Sequence, residues 1–241
     1  MDDQIIVSVA SIPSRCVGLI RVIETLSPQC TQMMVYLNGY RLPDQLPVLP
    51  RRENVHYHIS LVNEGPRGKF LFADRMPGYR IVCDDDLFYP HDYVYTMIQH
   101  ITKLQRKAIV GLHGKLLLYR KPPEPMTYKF YRYNDTVTDY CPVHMLGTGV
   151  MAYHTSAFNV GFNCLEKGKI DDQVAIMAQD QQVPMVVVPH DKDWVKMDPV
   201  LSETDALHQD MFLKRETSNR IHDHGSWKLY TTDTNEIPNY F

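Results

Sequence analysis

The stretch Tyr79-Arg80-Ile81-Val82-Cys83-Asp84-Asp85-Asp86 constrains the fold and the chemistry of this chain more than any other. Its apolar segment, Ile81 to Cys83, is typical of a short buried strand, and three consecutive carboxylates follow it. Like charges this close together repel, so their pKa values rise unless a cation neutralises them. Mg²⁺ and Mn²⁺ take oxygen ligands and commonly join carboxylates to substrate phosphates. The stretch therefore predicts a strand that ends at a metal–diphosphate site.

A solvated acidic turn is the alternative interpretation of the three aspartates. Turns after strands are common, but they usually combine one acidic residue with glycine, asparagine or serine. The apolar residues Ile81 to Cys83 also place the carboxylates at the edge of a sheet and not in a free loop. We therefore favour the metal site over the turn.

Apolar runs alternate with helical patterns along the first half of the chain. The predicted elements are strands at 5–10, 33–37 and 55–59, and helices at 14–26 and 90–105. Such alternation predicts an α/β fold with a mostly parallel central sheet flanked by helices. Ser11, Asn38 and Asp84 each follow a predicted strand, and ligands of parallel sheets bind outside the carboxyl ends of the strands. These three residues are therefore expected to share one cleft.

The second half of the chain is less regular. Further strands are predicted at 108–112, 115–119, 127–133 and 184–188, and a helix begins at Asp171-Asp172. Acidic residues in the first turn of a helix are stabilised by the helix dipole. The tail from Glu203 onward is polar, and no boundary to a second domain is evident. The prediction is a single domain over residues 1–241 with a C-terminal extension.

Composition argues against several classes of protein. The 241 residues are 44% hydrophobic and 22% charged, as in ordinary globular proteins. The net charge of -3 argues against a general nucleic-acid binder, which normally has a surplus of basic residues. The amino-terminal residues 1–4 lack the basic region of a signal peptide, and no apolar run approaches the ~20 residues of a membrane span. The five cysteines form no CxxC pair, which is typical of free thiols in a reducing cytoplasm.

Several segments, taken in order, resemble nucleotide-sugar glycosyltransferases of the GT-A fold, in particular the family 2-like and exostosin-like enzymes of bacterial type. The segments are Ile5 to Arg15, Gly65 to Phe70, Asp84-Asp85-Asp86, Gly147-Thr148-Gly149 and Asp171-Asp172-Gln173. The likeness covers most of the chain. It implies a nucleotide-binding half at 1–105, an acceptor-binding half at 106–200 and an extension at 201–241. The sequence departs from the usual pattern where Asp171-Asp172 stands for the commoner Glu-Asp.

The resemblance implies a Mn²⁺ or Mg²⁺ ion held by the acidic stretch. Asp86 would ligate the ion, and Asp84 would hold the ribose or reach the ion through water. Asp85 would contribute to binding of the nucleotide. In several families with this fold a C-terminal histidine completes the metal shell, which makes His224 and His222 candidates. A borderline ion such as Mn²⁺ tolerates one imidazole among oxygen ligands.

The resemblance also implies a set of residues around the nucleotide. Ser11 and Arg15 would frame the base, and Asn38 would bind the base or the ribose. Arg67 and Lys69 would offset phosphate charge, although a solvated basic loop explains these two residues equally well. For catalysis, the resemblance implies a general base that deprotonates an acceptor hydroxyl. The pair Asp171 and Asp172 supplies this base, and Asp172 is preferred.

The function expected from the sequence is transfer of a sugar from a nucleotide donor, a UDP-sugar by preference, to the hydroxyl of a glycan or lipid-linked acceptor. Surface-polysaccharide assembly in the cytoplasm, or at the cytoplasmic face of the inner membrane, is the setting that the analogy implies. Membrane contact is peripheral at most. Two alternatives stay open: a metal-dependent nucleotidyl or phosphoryl transferase, and a non-catalytic glycan-binding module. The lack of glycine in Ser11–Arg15 disfavours a nucleotidyltransferase.

Overall fold

A computed structural model describes residues 3–41, 49–73, 75–118, 127–200, 220–221, 224 and 227–232. Its strands are β1 (Ile5–Ser11), β2 (Gln32–Asn38), β3 (Val55–Ser60), β4 (Tyr79–Cys83), β5 (Leu87–Phe88), β6 (Ile109–Gly111), β7 (Gly114–Leu118), β8 (Thr127–Tyr131), β9 (Cys141–Val143), β10 (Met145–Leu146), β11 (Val150–His154), β12 (Met185–Val187) and β13 (Lys196–Met197). Its α-helices are α1 (Cys16–Leu26), α2 (Tyr93–Lys103) and α3 (Asp171–Asp180). Short 3₁₀ helices lie at Pro13–Arg15, Ser27–Gln29, Gly65–Phe70 and Phe162–Cys164.

One large mixed sheet forms the centre of the molecule. Eight strands lie side by side in the order β3-β2-β1-β4-β11-β6-β12-β9. The first four are mutually parallel, whereas β11 runs antiparallel to both β4 and β6. Strand β12 is parallel to β6 and antiparallel to β9. The α/β class is confirmed, but the sheet is mixed, and the mostly parallel arrangement predicted from the sequence holds only from β3 to β4.

Helices pack on both faces of this sheet, which explains why most residues of its central strands are apolar. All five residues of β4 are buried, and alternate side chains enter two different cores. Ile81 and Cys83 pack with α1 and α2. Val82 packs on the other face, in the core that includes α3. Because both faces are covered, the strand does not alternate between apolar and polar residues. Its one charged residue, Arg80, is buried and donates hydrogen bonds to the carbonyls of Phe72, Ala73 and Met76.

Two smaller sheets extend the structure beside the large one. Strands β10, β7 and β8 form an antiparallel sheet, and β13 pairs with β5 directly after the acidic stretch. Ile221 and Trp227 are buried in the second core, so these parts of the C-terminal extension pack against the domain. No helix in the described ranges has both the length and the apolar character needed to cross a bilayer.

Candidate active site

The carboxyl ends of the parallel strands bring the predicted polar residues to one edge of the sheet. Ser11 is the last residue of β1, Asn38 is the last residue of β2, and Asp84 follows β4. Val9 lies opposite Cys83 and Ser11 lies opposite Leu37, so the three strands end at nearly the same level. This register brings the ends of the three strands to the same edge of the sheet, as the sequence predicts.

Two cations from the protein contact the acidic stretch. Arg15 Nη1 lies 3.2 Å from Asp85 Oδ1 and 3.1 Å from Asp86 Oδ2. The 3₁₀ turn Pro13–Arg15, which precedes α1, sets the position of this arginine. Lys69 is buried in the 3₁₀ helix Gly65–Phe70 and forms an ion pair with Asp84 through Nζ. Within the described residues, three carboxylates therefore face two positive charges.

Burial and mutual repulsion leave the carboxylates poorly compensated. Burial raises the pKa of Asp85, although the Ser11 hydroxyl and Arg15 oppose this effect. Burial, together with the charges of Asp84 and Asp85, raises the pKa of Asp86 to about 7. Burial would lower the pKa of Lys69, but the Asp84 carboxylate outweighs it and the pKa is raised. The cluster therefore keeps a deficit of positive charge that an added cation would relieve.

The shifted pKa of Asp86 predicts a pH-dependent stability. Between its ordinary value of 3.8 and about 7, the folded state binds a proton that the unfolded state has released. The free energy of unfolding of the metal-free protein should therefore fall as pH rises through this window, and Asp86 should add nothing further above it. Asp86→Asn should flatten this dependence by on the order of 2 kcal/mol between pH 4.5 and 7.5. Urea denaturation of both proteins at the two pH values measures it; parallel curves would contradict it.

The acidic loop is tied to the loop that precedes β11. The Asp84 backbone N–H donates to Tyr89 Oη (2.8 Å), and the Tyr89 hydroxyl donates to the Gly149 carbonyl (2.6 Å). A Cβ atom at Gly149 would overlap the Asp84 carboxylate, so only glycine permits this close approach. The Gly147-Thr148-Gly149 segment, predicted to lie on the acceptor side, thus contacts the acids directly.

A second tie holds the other end of the acidic stretch. The Asp198 N–H donates to the Asp86 carbonyl (2.8 Å), next to the pairing of β13 with β5. The buried Asp198 carboxylate forms an ion pair with Arg21 of α1. Asp86 is therefore positioned by a segment more than 100 residues away in the sequence, and no local pattern near Asp198 predicts this role.

The two candidate bases lie in different surroundings. Asp171 Oδ1 accepts hydrogen bonds from the Thr148 backbone N–H (3.0 Å) and from Thr148 Oγ1 (2.8 Å). Asp171 also lies close enough to Lys69 to raise the pKa of that lysine. Asp172, by contrast, is fully buried, and Arg220 Nη1 lies 3.4 Å from its Oδ2. The resemblance favours Asp172 as the base. The geometry favours Asp171 instead, because Asp171 is the residue that faces the cleft.

Two of the predicted nucleotide-binding residues serve the structure of the site. The Asn38 side chain accepts from the Glu64 N–H (2.8 Å) and donates to the Gly65 carbonyl (3.2 Å), which anchors the start of the Lys69 segment. Arg67 pairs with Glu64, donates to the Leu165 carbonyl (2.9 Å) and lies over the Phe162 ring. Neither side chain is brought to the three aspartates.

The predicted histidine ligands are not joined to the acidic cluster. The His224 ring contacts Trp227, with centroids 4.9 Å apart, and its backbone N–H donates to the Arg220 carbonyl. None of the contacts found for His224 within the described residues involves an aspartate of the cluster. His222 lies outside the described residues. The prediction of an imidazole ligand therefore has no support in these contacts.

Two residues near the cleft were not singled out from the sequence. Burial, together with the charges of Asp86 and Asp84, raises the pKa of Tyr133 to about 12, so this phenol lies near the cluster as a neutral donor. His113 packs beside Gly147, and burial lowers its pKa against the opposing influence of Asp171. Both follow strands of the irregular half, where residue type alone offers no signal of a site.

The acidic cluster fits a hard divalent cation in its chemistry. Asp85 Oδ2 is buried and makes no hydrogen bond of normal geometry to any described residue. Carboxylate oxygens are the donors that Mg²⁺ and Mn²⁺ prefer, and one or two carboxylates plus substrate phosphates complete many such sites. Across the described ranges, no three His, Cys, Asp or Glu side chains already converge as a ligand set. A bound cation would therefore need ligands from substrate or water as well.

The geometry thus describes a cleft at a sheet edge that combines carboxylates, two buried or half-buried cations and a Thr148–Asp171 pair. Such a cleft suits binding of a metal-chelated anion beside a proton acceptor. The arrangement is supported from both halves of the chain, since Lys69 precedes the acids and Gly149 follows them by about 65 residues. Neither protein-family models nor curated proteins gave a match to this chain.

Proposed function

We propose that this protein is a GT-A-like glycosyltransferase that moves a sugar from a nucleotide-sugar, preferentially UDP-linked, to an acceptor hydroxyl. The observation that carries the proposal is the acidic stretch Asp84–Asp86 at the carboxyl ends of parallel strands, with less positive charge around it than its carboxylates require. The divalent cation that accompanies a diphosphate donor would supply the missing positive charge. Glycan or lipid-linked acceptors are the proposed partners.

The donor side of the mechanism rests on residues of the first half. Asp86, with Asp84, would hold Mn²⁺ or Mg²⁺, and the bound ion neutralises the charge that develops on the leaving diphosphate. Lys69 and Arg15 lie against the same carboxylates, and they would contact phosphate oxygens of the bound donor. Ser11 is nearly buried beside the cluster, and its hydroxyl lies 3.5 Å from Tyr40 Oη. These side chains would orient the nucleotide.

The acceptor side rests on residues of the second half. Asp171 would take the proton from the acceptor hydroxyl, since Thr148 holds its Oδ1 in place and the residue lies near Lys69. Tyr133 and His113 line this side as neutral hydrogen-bonding groups. The contact of Gly149 with Asp84 joins the two halves and brings the acceptor loop close to the donor site.

Calorimetry tests the proposal. UDP should bind with a dissociation constant at least ~10-fold lower in the presence of Mn²⁺ than in EDTA, because the ion would offset the negative charge of both the carboxylates and the diphosphate. UDP release from a panel of UDP-sugars should then identify a donor. Equal affinity for UDP with and without metal would contradict the assignment of a metal–diphosphate site. Metal-dependent binding without turnover of any donor would instead favour the non-catalytic alternative.

A further inference from the structure

A pocket of about 380 Å³ lies beside the acidic cleft, between the strands β2 and β3 and the segment that follows Gly68. Residues of both strands and of this segment line it: Gln32, Met34, Val35, Tyr36, His56, Tyr57, His58, Gly68, Lys69, Leu71 and Phe72. Pockets of this size with aromatic walls and a few polar groups commonly bind small ligands. Of the lining residues only Lys69, whose Nζ pairs with Asp84, has a role in the proposed glycosyltransferase chemistry.

Two histidines on β3 point into this pocket from the same face of the sheet. His56 and His58 are two residues apart in a strand, so their side chains project to one face about 6.6 Å apart. Both histidines are exposed. Val55, which precedes His56, and Tyr57, which lies between the two histidines, pack towards the first core. Strand β3 is at the edge of the sheet, which leaves the pair open to solvent. No described residue hydrogen-bonds their ring nitrogens.

The surroundings of His58 restrict the orientation of its ring. The ring lies 4.9 Å from the Tyr36 ring, measured between centroids, and makes an edge contact with Phe72. These two ring contacts favour one orientation of the exposed His58 imidazole.

A thioether lies next to the two imidazoles. Met34 is the partner of His56 in the β2–β3 register, and neighbouring strands are about 4.8 Å apart. Its side chain lies on the face opposite to the core residues Met33 and Val35 and lines the same pocket. Imidazole and thioether together make a soft donor set that suits copper, unlike the hard carboxylates of the acidic cleft.

We propose that His56, His58 and Met34 form a second metal site, specific for a copper ion and independent of the acidic cluster. Two imidazole nitrogens and one thioether sulfur would bind the ion at the rim of the pocket. The pocket volume leaves space for water or a small ligand in the remaining position. The proposal stands on the β2–β3 register and the shared pocket, and it does not depend on the glycosyltransferase proposal.

The test is a titration of the full chain with Cu⁺ under anaerobic conditions, with a coloured chelator as competitor. All proteins carry Cys164→Ser to remove the exposed thiol, while burial raises the pKa of Cys16 and raises that of Cys30 to about 12, which disfavours both as ligands. One Cu⁺ per chain should bind. Loss of a residue that only orients a ligand typically costs ~10- to 100-fold in metal affinity, so loss of a ligand should cost at least that.

Single variants decide the ligand set. His56→Ala, His58→Ala and Met34→Leu should each weaken Cu⁺ binding, whereas His91→Ala, an exposed histidine outside the pocket, should not. Asp86→Ala should also leave Cu⁺ binding intact. Unchanged affinity in either histidine variant would overturn the site. Unchanged affinity in Met34→Leu would overturn the assignment of the thioether as a ligand, on which the choice of copper depends. Circular dichroism of each variant separates loss of a ligand from loss of fold.

Discussion

Replacing Asp86 with alanine should abolish metal-dependent UDP binding and sugar transfer while the protein stays folded. The expected loss in turnover is ~10²- to 10³-fold or more, because a cation that neutralises a leaving diphosphate contributes several kcal/mol. Asp86 is the natural primary ligand, since it is half-buried and its pKa is raised to about 7 by burial and by its neighbours Asp84 and Asp85. Calorimetry with UDP and Mn²⁺ measures binding, and UDP release measures turnover.

The fold should tolerate this substitution because it removes repulsion from the cluster. Arg15 keeps its contact with Asp85, and Lys69 keeps its contact with Asp84. The free energy of unfolding should therefore not fall by more than about 1 kcal/mol. Asp92→Ala is a matched control, since Asp92 is exposed and its side chain makes no cap hydrogen bond at α2. Wild-type turnover in Asp86→Ala, or an equal loss in Asp92→Ala, would remove Asp86 from the mechanism.

Asp171→Asn should lower kcat by ~10²- to 10⁴-fold with little effect on donor binding, which is the range that general base catalysis contributes. The amide keeps the shape of the side chain but cannot accept a proton from the acceptor hydroxyl. Its Oδ1 can still accept both hydrogen bonds from Thr148, so the loop before β11 should hold its place. Steady-state kinetics with varied acceptor, and calorimetry with UDP and Mn²⁺, separate the two effects.

Asp172→Asn provides the comparison for this prediction. Asp172 is fully buried and pairs with Arg220, which also contacts Glu166. Its substitution should lower the free energy of unfolding by about 1 to 3 kcal/mol, since it weakens a buried charge-assisted contact. Turnover of the folded fraction should fall by less than ~10-fold, well short of the loss expected of a general base. A reversed order of effects, with Asp172→Asn the inactive protein, would return the role to Asp172.

The fold was predictable where burial dictates the residue pattern. Strands β1, β2 and β4 are largely apolar because both faces of the sheet are covered there. Their apolar runs therefore predict these strands from the sequence. The direction of strand β11 in the sheet does not follow from its sequence. It pairs antiparallel between β4 and β6, and no local pattern distinguishes an antiparallel central strand from a parallel one. The mixed character of the sheet is therefore a property of chain topology.

The site, like the fold, is predictable from the sequence only in part. Consecutive aspartates after a buried strand predict a cation site by themselves, because adjacent like charges need compensation whatever the rest of the chain does. Only the tertiary structure decided which groups surround them: Lys69 on Asp84, Arg15 on Asp85 and Asp86, and Gly149 against the Asp84 carboxylate. These partners come from distant segments, and their approach depends on how strands are ordered in the sheet.

The choice between Asp171 and Asp172 shows the reason most plainly. In sequence both are acidic residues in the first turn of one helix, and the helix dipole favours them alike. Successive residues of a helix point about 100° apart, so folding sends one to Thr148 at the cleft and the other to Arg220 in the interior. The chain alone determined that carboxylates would stand at this end of the sheet. Packing decided which of them can meet a substrate, because burial and charge partners are set by contacts between segments far apart in the sequence.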